Sequence, residues 1–356
     1  MPSQNSRSKD QPRRPVTSID VARAAGVSQT TVSLVVSGKA AGRISEETQL
    51  LVRRTAAELG YVPNTSAQVL RGGSPGVVAL AVPNVRHEYF GQVLLAAELT
   101  ARERAMAVML IDTSSDPHWV ERLITMNRAQ LLGGAIIYAE EAQTIERLSQ
   151  AIDHLVFVEC GVGPRLPAID LDIAGGMRQV VEHLYNLGHR RIGHAQADIQ
   201  RETFQLRASY LQASLSARGI RFDPSWQYRS SFDYADATPA AIEFLRTTNI
   251  TAVFCDDDLI AANLYRACRH LSIQVPDDLS IVGFNDVDIT RYLRPELTSV
   301  AIPAPEVGQL AVSTLLALLQ GVDRRAWVLP LRLVVRQSTA EPRRRIACVP
   351  RTGARH

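Results

Sequence analysis

The chain has 356 residues, with 39 Lys and Arg against 36 Asp and Glu, which gives a net charge of +3 at pH 7. Apolar residues make up 46% of the chain, a normal share for a globular protein, and no apolar run is long enough to span a bilayer. The polar and basic N-terminus lacks the apolar stretch of a secretion signal, so we expect a cytoplasmic protein.

The charge is unevenly distributed along the chain. Residues 1–75 contain ten Lys and Arg against five acids, a local net charge of +5, and residues 343–356 add five arginines without an acid. The remaining residues, 76–342, must therefore carry a net charge of −7, because the two basic segments together carry +10 and the whole chain only +3. A basic head on an acidic body is typical of a nucleic-acid-binding domain joined to a body that does not bind nucleic acid. We interpret the basic tail as a solvated, disordered segment, with DNA binding as its alternative role.

Residues 16–38, VTSIDVARAAGVSQTTVSLVVSG, predict two short helices joined by a tight turn at Gly26. Thr17 or Ser18 can cap the first helix, and Ser28 can cap the second. We expect the apolar residues at helical spacing to face inward, namely Ile19, Ala22 and Ala25 in the first helix and Val32, Val35 and Val36 in the second. The alternative interpretation is an ordinary helical hairpin with a solvated polar face.

The outward face of the second helix carries Gln29, Thr30, Ser33 and Leu34. Uncharged hydrogen-bonding side chains at the N-terminal end of such a helix are suited to reading base edges in the major groove. Leu34 can make only apolar contacts, for example with a thymine methyl group, so Gln29 and Thr30 would make the hydrogen bonds.

A third helix is predicted from the run EETQLLVRRTAAELGY, with Ser45 as its cap and Gly60 near its end. The segment TSAQVLR follows, with Asn64 as a possible cap and two glycines after it. A helix this short needs a partner to be stable, and the alternative is a plain linker.

From Gly76 the pattern changes to alternating strands and helices. The predicted strands of the first array are 77–83, 107–112, 133–138 and 155–160, and those of the second include 168–172, 191–196, 251–257 and 279–286. Two successive βα arrays predict two α/β lobes with parallel sheets, and ligands of such sheets bind at the carboxyl ends of the strands. We therefore expect a ligand site in a cleft between the lobes.

Three motifs in order, DVARAAGVSQTTVSLVVSG, RISEET and GYVPNTSAQVLRG, resemble the lactose-repressor (LacI/GalR) family of bacterial transcription regulators. The resemblance continues through LGHRRIGH, TAVFCDDDLIA, VPDDLSIVGFNDVDI and LTSVAIP to about residue 340. It implies an all-α helix-turn-helix headpiece and hinge helix joined to a two-lobed α/β domain of the periplasmic-binding-protein type.

This resemblance also implies the domain boundaries. They are a disordered arm (1–15), the headpiece (16–62), the hinge helix and linker (63–75), the effector-binding and dimerisation domain (76–342) and the basic tail (343–356). The chain is expected to cross between lobes near residues 160, 290 and 322. The first lobe would then hold about 76–160 and 291–322, and the second about 161–290 and 323–342.

The family's activity implies a homodimeric regulator, of the repressor type, that binds a palindromic operator and is controlled by a small-molecule effector, expected to be a sugar or sugar derivative. The alternative is an activator or co-repressor-dependent regulator with a nucleobase or nucleoside ligand. By family position, Thr17, Ser28 and Thr31 would contact phosphates, while Asn64, Ala67 and Leu70 would lie at the minor groove. The arginine with which the type member of the family reads its operator is replaced here by Leu34.

The family's effector-contacting positions correspond to Tyr89, Phe90, Glu140, Phe232, Asp258 and Asn285. The arginine of the family's R-x-x-G-aromatic signature would fall at Leu206, and Arg207 comes one residue later. Since one residue turns a helix by about 100°, either the register is shifted by one or arginine does not anchor this effector.

Other classes of protein are disfavoured by missing motifs. The sequence lacks four common enzyme motifs, G-x-G-x-x-G, G-x-x-x-x-G-K-[ST], H-E-x-x-H and G-x-S-x-G. Only CDDD at 255–258, as a metal site, and GVGP at 161–164, as a phosphate loop, are left as weak indications of an enzyme. A transport-type binding protein is opposed by the basic headpiece and the missing signal. The four cysteines, Cys160, Cys255, Cys268 and Cys348, lack metal-site spacing, so we predict free thiols.

The expected partners are therefore double-stranded DNA in the nucleoid, a small-molecule effector and a second copy of the chain, without a membrane, metal or cofactor. The tail lacks a leucine heptad, which favours a dimer over a tetramer.

Overall fold

The structure is a computed structural model that describes residues 16–61, 76–138, 141–161, 166–232, 234–322 and 326–343. The chain divides into two compact units between Pro75 and Gly76, and each is described by itself. In the described ranges, no helix combines the length and apolar character needed to cross a membrane.

The N-terminal unit contains three helices, α1 (Ser18–Ala25), α2 (Gln29–Val36) and α3 (Glu46–Glu58). Thr17 caps α1 in a reciprocal capping box with Asp20, and the helix ends at Gly26, whose φ of 66° a residue with a Cβ rarely adopts. Ser28 and Ser45 cap α2 and α3 by accepting backbone N–H groups. The predicted helix-turn-helix is confirmed.

The core of this unit lies between the three helices. Val21, Val32 and Val52 are fully buried at its centre. Ile19, expected to face inward, is 52% exposed, and that prediction was wrong. The buried face of α1 is instead formed by Val21, Ala22 and Ala25, with Val21 at the centre of the core.

The C-terminal unit is built on two six-stranded sheets. The first sheet has the strand order β11-β5-β4-β3-β1-β2, and all of its pairs are parallel. Its strands are β1 (Val77–Val82), β2 (Ala107–Asp112), β3 (Gly134–Tyr138), β4 (Leu155–Val158), β5 (Ala168–Leu171) and β11 (Ala326–Leu329). Long apolar runs form these strands because helices cover both faces of the sheet.

The second sheet has the order β12-β10-β9-β8-β6-β7 and is parallel except for the antiparallel pair of β10 and β12. Its strands are β6 (Ile192–Ala197), β7 (Gln227–Ser230), β8 (Ala252–Cys255), β9 (Ser280–Asn285), β10 (Thr298–Ala301) and β12 (Arg332–Val334). The two-lobed α/β fold is thus confirmed, with one antiparallel edge that the sequence analysis did not predict.

Nine helices of this unit are described. Those associated with the first sheet are α4 (Glu88–Arg102), α5 (Trp119–Arg128), α6 (Ala142–Ala151) and α12 (Ala304–Leu319). Those associated with the second are α7 (Ile173–Asn186), α8 (Glu202–Ala217), α9 (Tyr234–Thr247), α10 (Asp258–Leu271) and α11 (Ile289–Tyr292).

The chain crosses between the lobes later than predicted. The crossings were expected near residues 160, 290 and 322. In the structure, the next strand after each of these points still pairs within the sheet of the preceding lobe. These are β5 in the first sheet, β10 in the second and β11 in the first. Membership of a sheet is decided by pairing with distant strands, which the local pattern does not encode.

Candidate functional site

The first candidate site is the N-terminal end of α2. Ser28, Gln29 and Thr30 are exposed there, whereas Thr31 and Leu34 are half-buried. The Ser28 hydroxyl accepts the Thr31 backbone N–H at 3.1 Å and lies 2.9 Å from the Thr31 hydroxyl. These two hydroxyls therefore hold the end of the helix, and the exposed Thr30 side chain takes no part in this contact.

Gln29 is connected to the first helix. Its amide nitrogen donates to the Ser18 hydroxyl at 3.0 Å, while Thr17 lies in the capping box next to it. The ends of α1 and α2 therefore present one continuous polar surface, formed by Thr17, Ser18, Ser28, Gln29 and Thr30. Asn64, Ala67 and Leu70 of the predicted hinge lie outside the described residues.

The second candidate site is a cavity of about 720 Å³ lined by residues of both lobes. From the first lobe it is lined by Asn84, Arg86, His87, Tyr89, Phe90, Asp112, Tyr138 and Glu159, and from the second by Arg201, Thr203, Phe204, Arg207, Phe232, Asp257 and Asn285, among others. The volume is of the size that holds a small organic ligand. Most of these residues follow the carboxyl ends of strands, as the position of ligands in parallel sheets requires.

One wall of the cavity is a hydrogen-bonded contact between the lobes. His87, the N-cap of α4, places its Nε2 2.9 Å from Asp257 Oδ2, and Asn285 donates to the same oxygen at 2.6 Å. Both members of the His87–Asp257 pair are buried. Burial lowers the pKa of His87, but the hydrogen bond and negative charge of Asp257 outweigh burial and hold this pKa above its usual value.

A second polar contact between the lobes centres on Glu159. Its Oε1 accepts the Tyr89 hydroxyl at 2.7 Å, and its Oε2 accepts the Thr203 hydroxyl at 3.2 Å. Tyr138 lies 3.4 Å from Tyr89, hydroxyl to hydroxyl. Burial, together with the nearby Glu159 charge, raises the pKa of both tyrosines well above the usual value, so they stay protonated hydrogen-bonding groups.

The backbone is strained at two points of this wall. Glu159 and Asn285 have φ values of 55° and 107°, in the region that residues with a Cβ rarely adopt. Such conformations persist where the surrounding structure fixes them, and they concentrate at ligand sites. Both side chains line the cavity from the ends of β4 and β9.

Arg207 resolves the ambiguity over the family's arginine. It is only 3% exposed, lines the cavity and donates to the Asp256 carbonyl and, at 3.4 Å, to the Thr203 hydroxyl. Leu206, at the family's usual position, instead packs against the hydrophobic core and lines a smaller neighbouring pocket. The side chain one residue along α8 is thus the one that faces the cavity.

Asp258 does not line the cavity, contrary to its expected position. It is fully buried, and its oxygens accept the Ser299 hydroxyl at 2.6 Å and the Val287 N–H at 3.0 Å. Burial, and then the charge of Asp257, raises its pKa well above the usual range. Asp257 faces the cavity instead and also caps α10 through the Leu259 N–H.

The structure brings together five predicted effector residues, Tyr89, Phe90, Arg207, Phe232 and Asn285, in the wall of this cavity. Their contact with an effector stays a prediction, and Glu140 lies outside the described residues. Sequence reasoning missed His87, Tyr138, Glu159 and Thr203. Glu159 could have been found, because it directly follows β4, as Asp258 was selected for following β8.

The described residues contain no group of three or more His, Cys, Asp or Glu arranged to hold a metal ion. Cys255 and Cys268 are buried free thiols, as predicted, Cys160 is buried as well, and Cys348 lies outside the described residues.

Comparison with known proteins finds similarity to regulators over nearly the whole chain. The model of bacterial regulatory proteins of the lacI family matches residues 19–64, and that of the periplasmic binding protein-like domain matches residues 181–339. The HTH-type transcriptional regulator DegA of Bacillus subtilis is 30% identical over 333 residues, which cover 90% of this chain and 97% of DegA.

Two solved structures show the same similarity. The lac repressor dimer bound to operator and the anti-inducer ONPF superposes with a TM-score of 0.83 at 26% identity, covering 92% of this chain and all of that one. The complex of the transcriptional regulator CelR with cellobiose has a TM-score of 0.68 at 27% identity and covers 91% of this chain and all of its own.

Proposed function

Because the chain belongs to the lacI family of bacterial transcription regulators and is not an enzyme, we propose that it is a homodimeric repressor of palindromic operators with a carbohydrate-type effector. The observation that carries the proposal is the cavity whose walls come from both lobes. A ligand in such a cavity changes the relative stability of open and closed arrangements, which is what allosteric control requires.

The surface of the first lobe supports a dimer. Leu95 and Leu99 form an exposed apolar stripe one turn apart on α4, and Leu110 is exposed on β2, the edge strand of the first sheet. Exposed apolar groups next to an unpaired sheet edge are a liability unless another chain covers them. A second copy of the chain is the occupant we propose, with its own stripe facing this one about a twofold axis.

The polar end of α2 supports DNA reading by Gln29 and Thr30. Both side chains are exposed, and their neighbours Ser28 and Thr31 fix the helix end on which they stand. Ser28, Thr31 and Thr17 would then contact phosphates, which set the register without selecting sequence. Leu34 is half-buried and would add an apolar contact.

A carbohydrate effector fits the lining of the cavity. Aromatic rings of Phe90, Tyr138 and Phe232 alternate with polar groups that can pair with ring hydroxyls, a usual combination for small-molecule sites. The similarity to the regulator CelR in complex with cellobiose supports the same class of ligand.

Selection of bound fragments from random-sequence DNA tests the proposal. The purified chain should return an inverted repeat, and sedimentation of its complex should give two chains per DNA. Recovery of an asymmetric half-site bound by one chain would contradict the dimeric model. Repeating operator titrations with a sugar panel then tests control, because a ligand that stabilises the protein should also change operator affinity.

A further inference from the structure

The cavity contains a buried cation without a charged partner. The Arg207 guanidinium donates only to neutral acceptors, the Asp256 carbonyl and the Thr203 hydroxyl, and no carboxylate of the described residues forms an ion pair with it. A buried charge is costly unless an opposite charge compensates it.

The Arg207 side chain also has a hydrogen-bond donor, its Nε–H, that has no acceptor among the described residues. Among the described residues, three buried side-chain polar atoms lack a hydrogen-bond partner, namely His194 Nδ1, Arg207 Nε and Tyr228 Oη. Of these three residues, only Arg207 lines the cavity. Since buried donors are almost always paired, this Nε–H is available to an acceptor on a molecule bound in the cavity.

The carboxylates that line the cavity do not serve as acceptors for Arg207. Asp257 already accepts from His87, Asn285 and the Leu259 N–H. Glu159 accepts from two hydroxyls, and Asp112 accepts from the N–H groups of Val85, Ser114 and Ser115. The acids of the wall are therefore satisfied internally, whereas the buried arginine is not.

Two aromatic rings fix the orientation of the guanidinium. Its central carbon lies 3.7 Å from the ring centroid of Phe284 and 4.7 Å from that of Phe204. Stacking of this kind holds the planar group in one orientation, so its remaining N–H groups are already arranged for an acceptor. Arginine in a fixed plane matches the paired oxygens of a carboxylate or phosphate.

We infer that the effector carries an anionic group, a carboxylate or a phosphate, on a polyhydroxylated ring, and that Arg207 binds this group. The ligand is then a sugar acid or a sugar phosphate rather than a neutral sugar. This inference rests on the proposed effector function of the cavity and specifies the ligand's chemistry.

The test measures binding to matched pairs of compounds. Hexuronates are paired with their methyl esters, aldonates with their lactones, and hexose and pentose phosphates with the free sugars, first by thermal shift and then by calorimetry. The wild-type chain should bind at least one anionic member about tenfold or more tightly than its neutral partner. Which pairs respond distinguishes the carboxylate from the phosphate.

Two variants connect the preference to the residue. Arg207→Gln should bring the affinity for the anionic member to within about threefold of that for its neutral partner, whereas Arg207→Lys should keep part of the preference. Arg246→Gln, which removes an exposed arginine outside the cavity wall, should leave the preference unchanged.

The inference is overturned if neutral members bind as tightly as the anionic ones, if no anionic member binds, or if Arg207→Gln keeps the full preference. The first comparison uses only the wild-type chain, so a variant that fails to fold does not affect it. Neutral sugars that bind as tightly as their anionic partners and change operator affinity would contradict this inference alone. Anionic ligands that bind without changing operator affinity would contradict the proposed control and leave this inference intact.

Discussion

His87 Nε2 and Asp257 Oδ2 lie 2.9 Å apart and join the two lobes inside the cavity wall. The pKa of His87 is raised because the bond to Asp257 outweighs the effect of burial. A raised pKa in the folded protein means that protonation stabilises the fold. This contribution is complete below the unfolded value of about 6.5 and is lost as the pH rises through the folded value.

We therefore predict that the thermal midpoint of the wild type exceeds that of His87→Gln by more at pH 6 than at pH 8.5. Glutamine keeps an N–H donor but does not titrate, and the remaining groups are common to both proteins, so the difference isolates His87. Melting curves at several pH values measure the difference between the two thermal midpoints. This difference should decline by a few degrees from pH 6 to pH 8.5. A difference that grows with pH would show that burial controls the pKa.

The two neighbouring aspartates should respond differently to substitution. Asp258→Ala leaves the Ser299 hydroxyl and the Val287 N–H without their acceptor inside the protein, which should lower the free energy of unfolding by about 2–5 kcal/mol. Asp258→Asn should cost less, because the raised pKa of Asp258 already favours the neutral carboxyl group.

Chemical denaturation measures these losses of stability. Calorimetry with the tightest-binding compound of the panel measures ligand affinity at the cavity. Asp258→Asn should bind within about threefold of the wild type, since Asp258 does not line the cavity, whereas Asp257→Asn should bind more weakly. Equal losses of ligand affinity in the two variants would show that Asp258 contributes to the ligand site after all.

The same pair shows how far sequence reasoning could reach. An acid after β8 at the carboxyl end of a sheet was predictable, but Asp257 caps α10 and Asp258 is its first residue, so the two side chains leave the chain in different directions. The pattern CDDD thus places one aspartate in the cavity and another in the core without telling which. Arg207 posed the same problem, because the rotation of α8 that brings it to the cavity is fixed by tertiary packing.

Local features were predicted closely where the chain itself decides them. The run VVALAV forms β1 because apolar β-branched residues favour a buried strand, and the caps Thr17 and Ser28 follow from their hydroxyls. The lobe crossings were predicted too early because β5, β10 and β11 are assigned to their sheets by distant partners. The positive φ values of Glu159 and Asn285 could not be predicted, since they arise from tertiary constraints.

Two helical glycines should show opposite responses to alanine. A Cβ at Gly308 on α12 would lie 2.3 Å from the Val93 carbonyl oxygen and 3.0 Å from the Ala97 nitrogen of α4. A Cβ at Gly91, on α4 itself, would meet no atom within 4 Å. Gly308→Ala must push the two helices apart and should cost about 1–3 kcal/mol or more.

Gly91→Ala should instead stabilise the protein by about 0.5–1 kcal/mol, because alanine loses less backbone entropy in a helix. Chemical denaturation of the two variants beside the wild type decides the sign of each change. Destabilisation by both would show that Gly91 also has a packing partner, and stabilisation by both would contradict the close approach of α4 and α12.

The exposed end of α2 should control the choice of DNA sequence. We predict that Gln29→Ala and Thr30→Ala each lower affinity for the selected operator by about tenfold to one hundredfold, because each removes a side chain suited to pair with base edges. Affinity for random-sequence DNA should change less than about twofold, since phosphate contacts dominate it. Fluorescence anisotropy at several salt concentrations measures both quantities, and the salt slope should stay the same.

Ser37→Ala provides the matched control, because Ser37 is exposed on the same helix but stands at its opposite end. It should bind operator and random DNA as the wild type does. If Gln29→Ala and Thr30→Ala weaken both kinds of DNA equally, the two residues act on the phosphate backbone or on headpiece stability. Sequence selection would then have to come from Leu34 and from residues beyond the described headpiece.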